Sequence, residues 1–412
     1  MNKACLAAIA TCVGVAWTLW PAPAQSHETA NTTVTFDREV SRILKKKCIA
    51  CHSPANLAFP LTSYEETRPW ARAIEEEVLR RHMPPWRAVP GYGQFANDGG
   101  LTNRELQLMV AWIEGNGPKN PAQRIIVNVD QIQSSPQERL RTDFDVWQLG
   151  RPDLVRQLNS SRIESRQPDH VRSVVIDPGV SSARWVRGLE FKPGDRRVLR
   201  AAFFSVQETG QWLGSWTPWY GMTSLPRDMA GLLPAGSHVV AELHYRGTDG
   251  AVDERGTLGI YFARSKPTRC TSDLNLTSDT APSPGPRGAR IQAAATLQTD
   301  TVVVAIKPEL GPAAYSLELT ARQPDGTAQV LLFVKDILPE WPTPYIFKEP
   351  LRLARGTVMS MTSYDREPGG AGPRFSPGPG APPRAAGVRL MVSLADGNAC
   401  SSGAGSTPAR RR

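Results

Sequence analysis

The run Cys48-Ile49-Ala50-Cys51-His52 constrains this chain more than any other stretch of it. Two thiols separated by two residues and followed at once by an imidazole form a CxxCH site, at which c-type haem attaches covalently. Each thiol can form a thioether to a haem vinyl group, and the histidine is then delivered to the iron as proximal ligand. A chain with this motif has to wrap short helices around a flat apolar ring. Electron transfer is the task such a site predicts.

The N-terminus reads as a secretory signal over residues 1–24. Lys3 gives the positive start, Ala4 to Trp20 the apolar stretch and Ala22-Pro23-Ala24 an AxA-like cleavage site. Cleavage is the first reading and retention as a single anchor the second, the apolar run falling just short of a comfortable span. Export suits the motif, because covalent haem attachment is completed outside the cytoplasm. The expected location is the periplasm, either soluble or peripherally associated with the inner membrane. Cys5 and Cys12 leave with the signal, so Cys270 and Cys400 remain, and an oxidising compartment lets them pair as a disulfide. Two buried free thiols are the other reading. The formal charge of +9 is spread thinly and ends in Arg410-Arg411-Arg412 on a tail, 401–412, expected to be disordered. Nothing in the charge pattern resembles a nucleic-acid module, and a basic surface on an exported cytochrome suits an acidic redox partner.

The length exceeds one ordinary core and predicts two or three domains. From 34 to 120 the period is helical. Phe36, Val40, Ile43 and Leu44 share one face of a helix that leads into the CxxCH run, with Asp37 as the expected cap and Lys45 to Lys47 at its cationic end. A second helix is expected from Tyr64 to Arg81. A third follows Thr102 and Glu105, which have the spacing of a capping box, and should stop at Gly115 or Gly117. Between them lies Arg80-Arg81-His82-Met83-Pro84-Pro85-Trp86. The two prolines force extended backbone, so Met83 leaves the helix where its soft thioether can reach a haem iron. Met83 is the expected distal ligand, with His82 and an open site as the alternatives.

Beyond about 125 the helical period gives way to β-rich runs: 171–176, 185–191, 198–206, 239–245, 257–262, 301–306, 315–321, 329–334 and 388–394. Turn residues such as Asp325-Gly326 separate them. This predicts all-β sandwiches at 125–275 and 290–400, divided near 275–290, with Glu367 to Ala386 as a Gly/Pro-rich loop. Trp212, Trp216, Trp219 and Tyr220 read as an aromatic surface or an inter-domain seam.

The stretches FDREVSRILKKKCIACH, TSYEETRPWARAI, RRHMPPW, YGQFANDGGLT and VAWIEGNGP resemble the cytochrome c domain of a bacterial family. In that family the cytochrome is fused to a region similar to copper type II, ascorbate-dependent monooxygenases of the peptidylglycine hydroxylating kind. Leu189 to Val198, Leu213 to Pro218, Leu233 to Ser237, Leu243 to Tyr245 and Tyr345 to Leu351 are similar to landmarks of that second region. The resemblance implies a small all-α cytochrome c domain followed by all-β tandem jelly-roll-like sandwiches. It also implies that Cys48 and Cys51 anchor the haem, with His52 proximal and Met83 distal.

The copper ligands that the resemblance implies are mostly missing. Arg200-Ala201 stands where a His-His pair is expected, and an arginine has no lone pair to give a metal. Lys307-Pro308-Glu309 stands where a His-x-His element is expected. The β region holds only His170, His238 and His244, with Met391 as a possible thioether or a core methionine. The expectation is therefore a metal-binding electron-transport protein whose single metal is the haem c iron. Its β region would serve as a docking or assembly module in a redox complex, with redox proteins as donor and acceptor and no catalytic residues. The alternative is a haem-fed copper-dependent monooxygenase or oxidase with an atypical single copper site, in which His244 is a ligand.

Overall fold

The computed structural model describes residues 32–54, 56–119, 146–278, 289–366 and 386–394. The signal segment 1–24, Cys5, Cys12, Cys400, the tail 401–412 and nearly all of the Glu367–Ala386 segment lie outside the described residues.

The helical region begins with a π-type turn, Phe36–Val40, that runs into α1 (Ser41–Lys47). Asp37 does not cap it. The last extended residue is Thr35 (φ −126, ψ 160), which places Asp37 one step inside the helix; the Thr35 amide is instead met by Glu39 Oε2 at 2.9 Å. The helix expected over 64–81 is split into α2 (Tyr64–Thr67), a 3₁₀ turn (Arg68–Trp70) and α3 (Ala71–Leu79). Pro69 supplies the reason, since it lacks the amide donor a continuous helix needs. Trp70 and Leu79 are 45% and 55% exposed. In α4 (Asn103–Glu114) the capping box of Thr102 and Glu105 forms in both directions, and the helix stops at Gly115. Phe36, Val40, Leu44, Met109 and Trp112 make the small core of this region.

The rest is a large multi-sheet β region that resembles β-sandwich folds. Its first strands in chain order are β1 (Leu154–Gln157), β2 (Ser161–Ile163), β3 (His170–Ile176), β4 (Arg184–Lys192), β5 (Leu199–Val206) and β6 (Trp212–Trp216). There follow β7 (Met222–Ser224), β8 (Met229–Leu233), β9 (Val239–Tyr245), β10 (Val252–Glu254), β11 (Thr257–Phe262) and β12 (Arg269–Thr277). The last are β13 (Arg290–Thr296), β14 (Thr301–Glu309), β15 (Ala314–Arg322), β16 (Ala328–Lys335), β17 (Tyr345–Leu353), β18 (Val358–Asp365) and β19 (Gly387–Leu394).

Two four-stranded sheets, β3-β9-β5-β6 and β13-β18-β15-β16, lie apart from a long nine-stranded sheet ordered β1-β11-β4-β8-β12-β19-β14-β17, with β7 on β4. One core packs Phe191, Leu199, Phe204, Trp216, Leu243 and Ile260 together. A second gathers Val303, Leu317, Leu332, Phe347, Met361 and Leu390. The long sheet runs through both stretches that the sequence assigns to separate sandwiches, because β19 inserts between β12 and β14. β12 also continues to Thr277, into the expected divider.

Burial follows the position of each strand. In β9 alternate residues are buried, Val239, Ala241, Leu243 and Tyr245 inward and Val240, Glu242 and His244 on the other face. β14 is buried from Thr301 to Lys307 without alternation, since Val303 enters one core while Val302 and Val304 enter a third cluster with Trp212 and Met391. The expected aromatic surface around Trp212 is thereby corrected in part: Trp212 and Trp216 are each 2% exposed on β6, and Trp219 meets the helical region.

One segment of the helical region is built into the β region. Val89 N donates to Phe333 O at 2.8 Å and Lys335 N to Arg87 O at 3.2 Å, while Ala96 N donates to Ile346 O at 2.7 Å and Lys348 N to Gln94 O at 2.8 Å. Residues 87–96 thus extend the edges of β16 and β17. Trp86, Ala88 and Phe95 join the core of that half.

Candidate functional site

The CxxCH run follows directly from α1 as a tight turn, with Cys51 N and His52 N both donating to Cys48 O, at 3.0 and 2.9 Å. Ile49 is fully buried, while the flanking cysteines are only partly covered. The chain then doubles back: Ala58 N donates to Cys51 O at 3.0 Å and Leu61 N to His52 O at 2.9 Å. This return brings the Phe59 carbonyl to 3.0 Å from His52 Nδ1. A carbonyl can only accept, so Nδ1 must carry the proton and the lone pair lies on Nε2. Burial pushes the His52 pKa down, against the Phe59 carbonyl, which raises it. The imidazole is therefore neutral at neutral pH, the form that ligates a metal. Phe59 also meets the His52 ring edge-on and stacks on Trp70, with centroids 5.0 and 4.2 Å apart.

Cys48 and Cys51 are free thiols. Burial, reinforced by Cys51, pushes the Cys48 pKa up to about 12. Burial does the same to Cys51, also to about 12, while Arg196 and Arg200 pull the other way. Those arginines come from the β region. Arg196 Nε donates to Asn56 Oδ1 at 3.1 Å and Arg246 Nη1 to Leu57 O at 3.0 Å, so the loop after the motif is clasped by the β5 and β9 ends.

Met83 follows α3 and is 38% exposed on the wall of a cavity of about 510 Å³, which Val78, Trp86, Phe95, Leu101 and Leu106 also line. The cavity has a cationic edge of Arg80, Arg81, Arg87 and Lys335. His82, the alternative ligand, has Nδ1 3.5 Å from Glu77 Oε2. Lys46 and Lys47, at the cationic end of α1, tie it to α4 and the loop before it: Lys46 to Glu105 at 3.3 Å and Lys47 to Asp98 O at 3.1 Å. Sequence reasoning missed Phe59, Asn56, Arg196 and Arg246. A carbonyl acceptor leaves no signature in residue type, and the arginines act from 140 and 189 positions away.

The positions that the resemblance assigns to copper hold ion pairs. Arg200 pairs with Asp169 at 3.1 Å and lies over the Trp341 ring at 4.8 Å, beside buried Ala201. Lys307, 7% exposed, lies 3.6 Å from both Glu242 and Glu309 and 4.1 Å above the Phe203 ring. His244 Nε2 is 2.9 Å from Glu242 Oε1. Met391 is buried in the third cluster, opposite Ala305. His170 is hydrogen-bonded to Pro168 O and His238 to Glu208, both at 3.0 Å, so the three histidines of the β region serve separate partners. Buried charges such as Lys307 persist only when paired in this way.

The metal-binding expectation is corrected: among the described residues no group of three or more His, Cys, Asp or Glu is arranged to hold a metal ion. The reason is the pairing just described: each carboxylate that approaches a histidine or lysine is engaged in an ion pair. Cys270 is buried and disulfide-bonded; Cys400, its expected partner, lies outside the described residues. No catalytic-looking constellation appears among the described residues. A haem iron asks for less than a cluster, two axial donors: His52, with its proton on Nδ1 and two free thiols beside it, has the chemistry of one, while Met83 lies on the wall of a cavity that Cys48, Cys51 and His52 do not line.

No helix among the described residues is long and apolar enough to cross a membrane. No family profile matches the chain. No curated protein matches its sequence. Among solved structures it is similar to the PM2 bacteriophage major capsid protein P2 at 9% identity, TM-score 0.24, over 58% of this chain and 96% of that one. It is similar to Saccharomyces cerevisiae allantoicase at 11% identity, TM-score 0.20, over 54% and 77%. A Paenibacillus xanthan lyase follows at 8% identity, TM-score 0.18, over 59% and 25%. What these comparisons accompany is a multidomain chain with a small helical region and a large β region that lacks an evident metal cluster among its described residues.

Proposed function

We propose that this chain is an exported mono-haem c-type cytochrome that passes electrons between redox proteins. The observation that carries the reading is the His52 Nδ1 to Phe59 carbonyl contact at 3.0 Å, beside two free thiols, which leaves Nε2 as a ready donor. Cys48 and Cys51 would hold the haem, His52 would be proximal and Met83 distal. Haem held in this way supplies one-electron redox chemistry, with a thioether ligand favouring the reduced iron. His52 is oriented by Phe59, burial disfavours the thiolate at both cysteines, and hydrophobic side chains line part of the cavity wall that bears Met83.

The β region is read as a degenerate relative of tandem jelly-roll-like copper monooxygenases that now acts as a module for docking or assembly. The ion pairs of Arg200 and Lys307 support this, since they take positions that copper ligands would occupy. The location that fits is the periplasm.

Production in a haem-maturing host tests the reading. One covalent haem per chain is expected by mass and by the spectrum in alkaline pyridine, with covalent attachment abolished in Cys48→Ser/Cys51→Ser. Protein that folds in such a host yet carries no haem defeats the proposal. Stoichiometric tightly bound copper that is lost in His244→Ala would replace it with the copper-enzyme alternative.

A further inference from the structure

We infer that the second half of the β region sets the sixth ligand of the haem, with Trp86 and Asn97 as the positioning residues for Met83. This rests on the haem reading above. Met83 leaves α3 and the chain passes at once through Pro84 and Pro85 into Trp86, so the placement of Trp86 fixes where the thioether can go. Trp86 is 8% exposed and belongs to the core of the β region rather than that of the helices. Its ring meets Tyr345 and Phe95 edge-on, with centroids 5.1 and 5.9 Å away. Gly100 presses on its other side: a Cβ there would lie 2.8 Å from Trp86 Cδ1, so no larger residue fits beside the ring as it stands.

The far end of the same strap is held as firmly. Asn97, 2% exposed, donates from Nδ2 to Pro344 O at 2.6 Å and accepts from Ile346 N at 3.0 Å. Its own carbonyl accepts from Trp219 Nε1 at 3.1 Å. Between these ends the strap pairs with β16 and β17. Met83 therefore has its local α3 on one side and a β-sheet edge some 250 residues further along the chain on the other. The thioether is not fixed by the helices alone, whereas His52 is oriented by a carbonyl seven residues away. Residues positioned through several rigid contacts keep a ligand within the tolerance a metal bond demands.

The test uses the full chain matured with haem, in the parent and in Trp86→Ala, Trp86→Phe and Asn97→Ala, each first checked for a cooperative unfolding transition. The readouts are haem per chain and the weak red absorption band of methionine bound to ferric iron. The parent should show the band. Trp86→Ala should keep its haem but lose the band at least tenfold, Trp86→Phe should retain at least half, and Asn97→Ala should weaken it at least twofold. If Trp86→Ala does not fold, Asn97→Ala decides. Full haem with an undiminished band in the folded variants overturns this inference and leaves the haem reading standing. Absence of haem from the parent defeats that reading instead.

Discussion

The loops that carry His52 and Met83 are secured in opposite ways. The His52 loop is mostly self-contained: its turn, its return past Phe59 and its buried Ile49 all lie within 48–61, and the arginines of the β region only clasp its far side. The Met83 strap has local contacts where it leaves α3, with His82 N and Met83 N donating to Glu77 O at 2.8 and 3.3 Å, and long-range ones beyond. Its anchor, Trp86, belongs to a core built mostly from residues beyond 275. Local order costs little loop-closure entropy and can form early; the strap can be ordered only after long-range pairing. The difference teaches that in this molecule the His52 loop is a local motif and the Met83 strap depends on the wider fold.

The largest expected effect attacks that contrast directly. Trp86→Ala removes a large buried ring and should cost about 3–5 kcal/mol of unfolding free energy. Phe59→Ala, at a ring 40% exposed and stacked on Trp70, should cost about 1 kcal/mol. Equal losses in denaturant melts would erase the distinction. The next effect concerns the thiols in haem-free protein. With both pKa values near 12, thiolate is scarce at pH 8, and the compensating nucleophilicity is incomplete. Alkylation of Cys48 and Cys51 should run roughly 50- to 100-fold slower than that of a free thiol. Rates close to the free thiol would mean that the loop is open rather than preformed.

Asn97→Ala leaves Ile346 N and Pro344 O without their side-chain partner and should cost about 1–3 kcal/mol. A smaller effect is expected from Glu254, which supports the turn bearing Arg196 by accepting from Gly194 N at 2.9 Å and from the Tyr245 hydroxyl at 2.8 Å. Burial raises its pKa above the ordinary value of 4.5, outweighing those hydrogen bonds. The folded state thus prefers the protonated carboxyl. Its contribution to stability is complete below about pH 4.5 and is lost as pH rises through the raised folded value. Glu254→Gln should flatten that part of the stability profile; an unchanged profile would show that Glu254 does not carry it. Smallest is Thr102→Ala, which removes half of the capping box on α4 and should cost about 1 kcal/mol.

The readings that came from the sequence succeeded where a contact is short in sequence. The capping box, the stop at Gly115, the strands Val239–Tyr245 and Thr257–Phe262 and the alternation of His244 against Leu243 are consequences of local period and turn chemistry. The helix break at Arg68–Trp70 was legible in Pro69, yet the apolar period outweighed it. Trp212 and Trp216 looked like a surface because aromatic residues near glycines read as loops; only the pairing of β6 with β5 and the packing around it bury them. The strand β19 had to cross between β12 and β14 before the two expected sandwiches could be seen to share a sheet.

By itself the sequence determined the CxxCH turn, the type of most elements and the poverty of histidine in the β region. These follow from residue type and spacing. The tertiary structure decided which carbonyl fixes the His52 tautomer, what Arg200 and Lys307 pair with and where the Met83 strap is anchored. Those depend on backbone atoms that are the same in every residue and on partners as far as about 250 positions away, which no local pattern encodes.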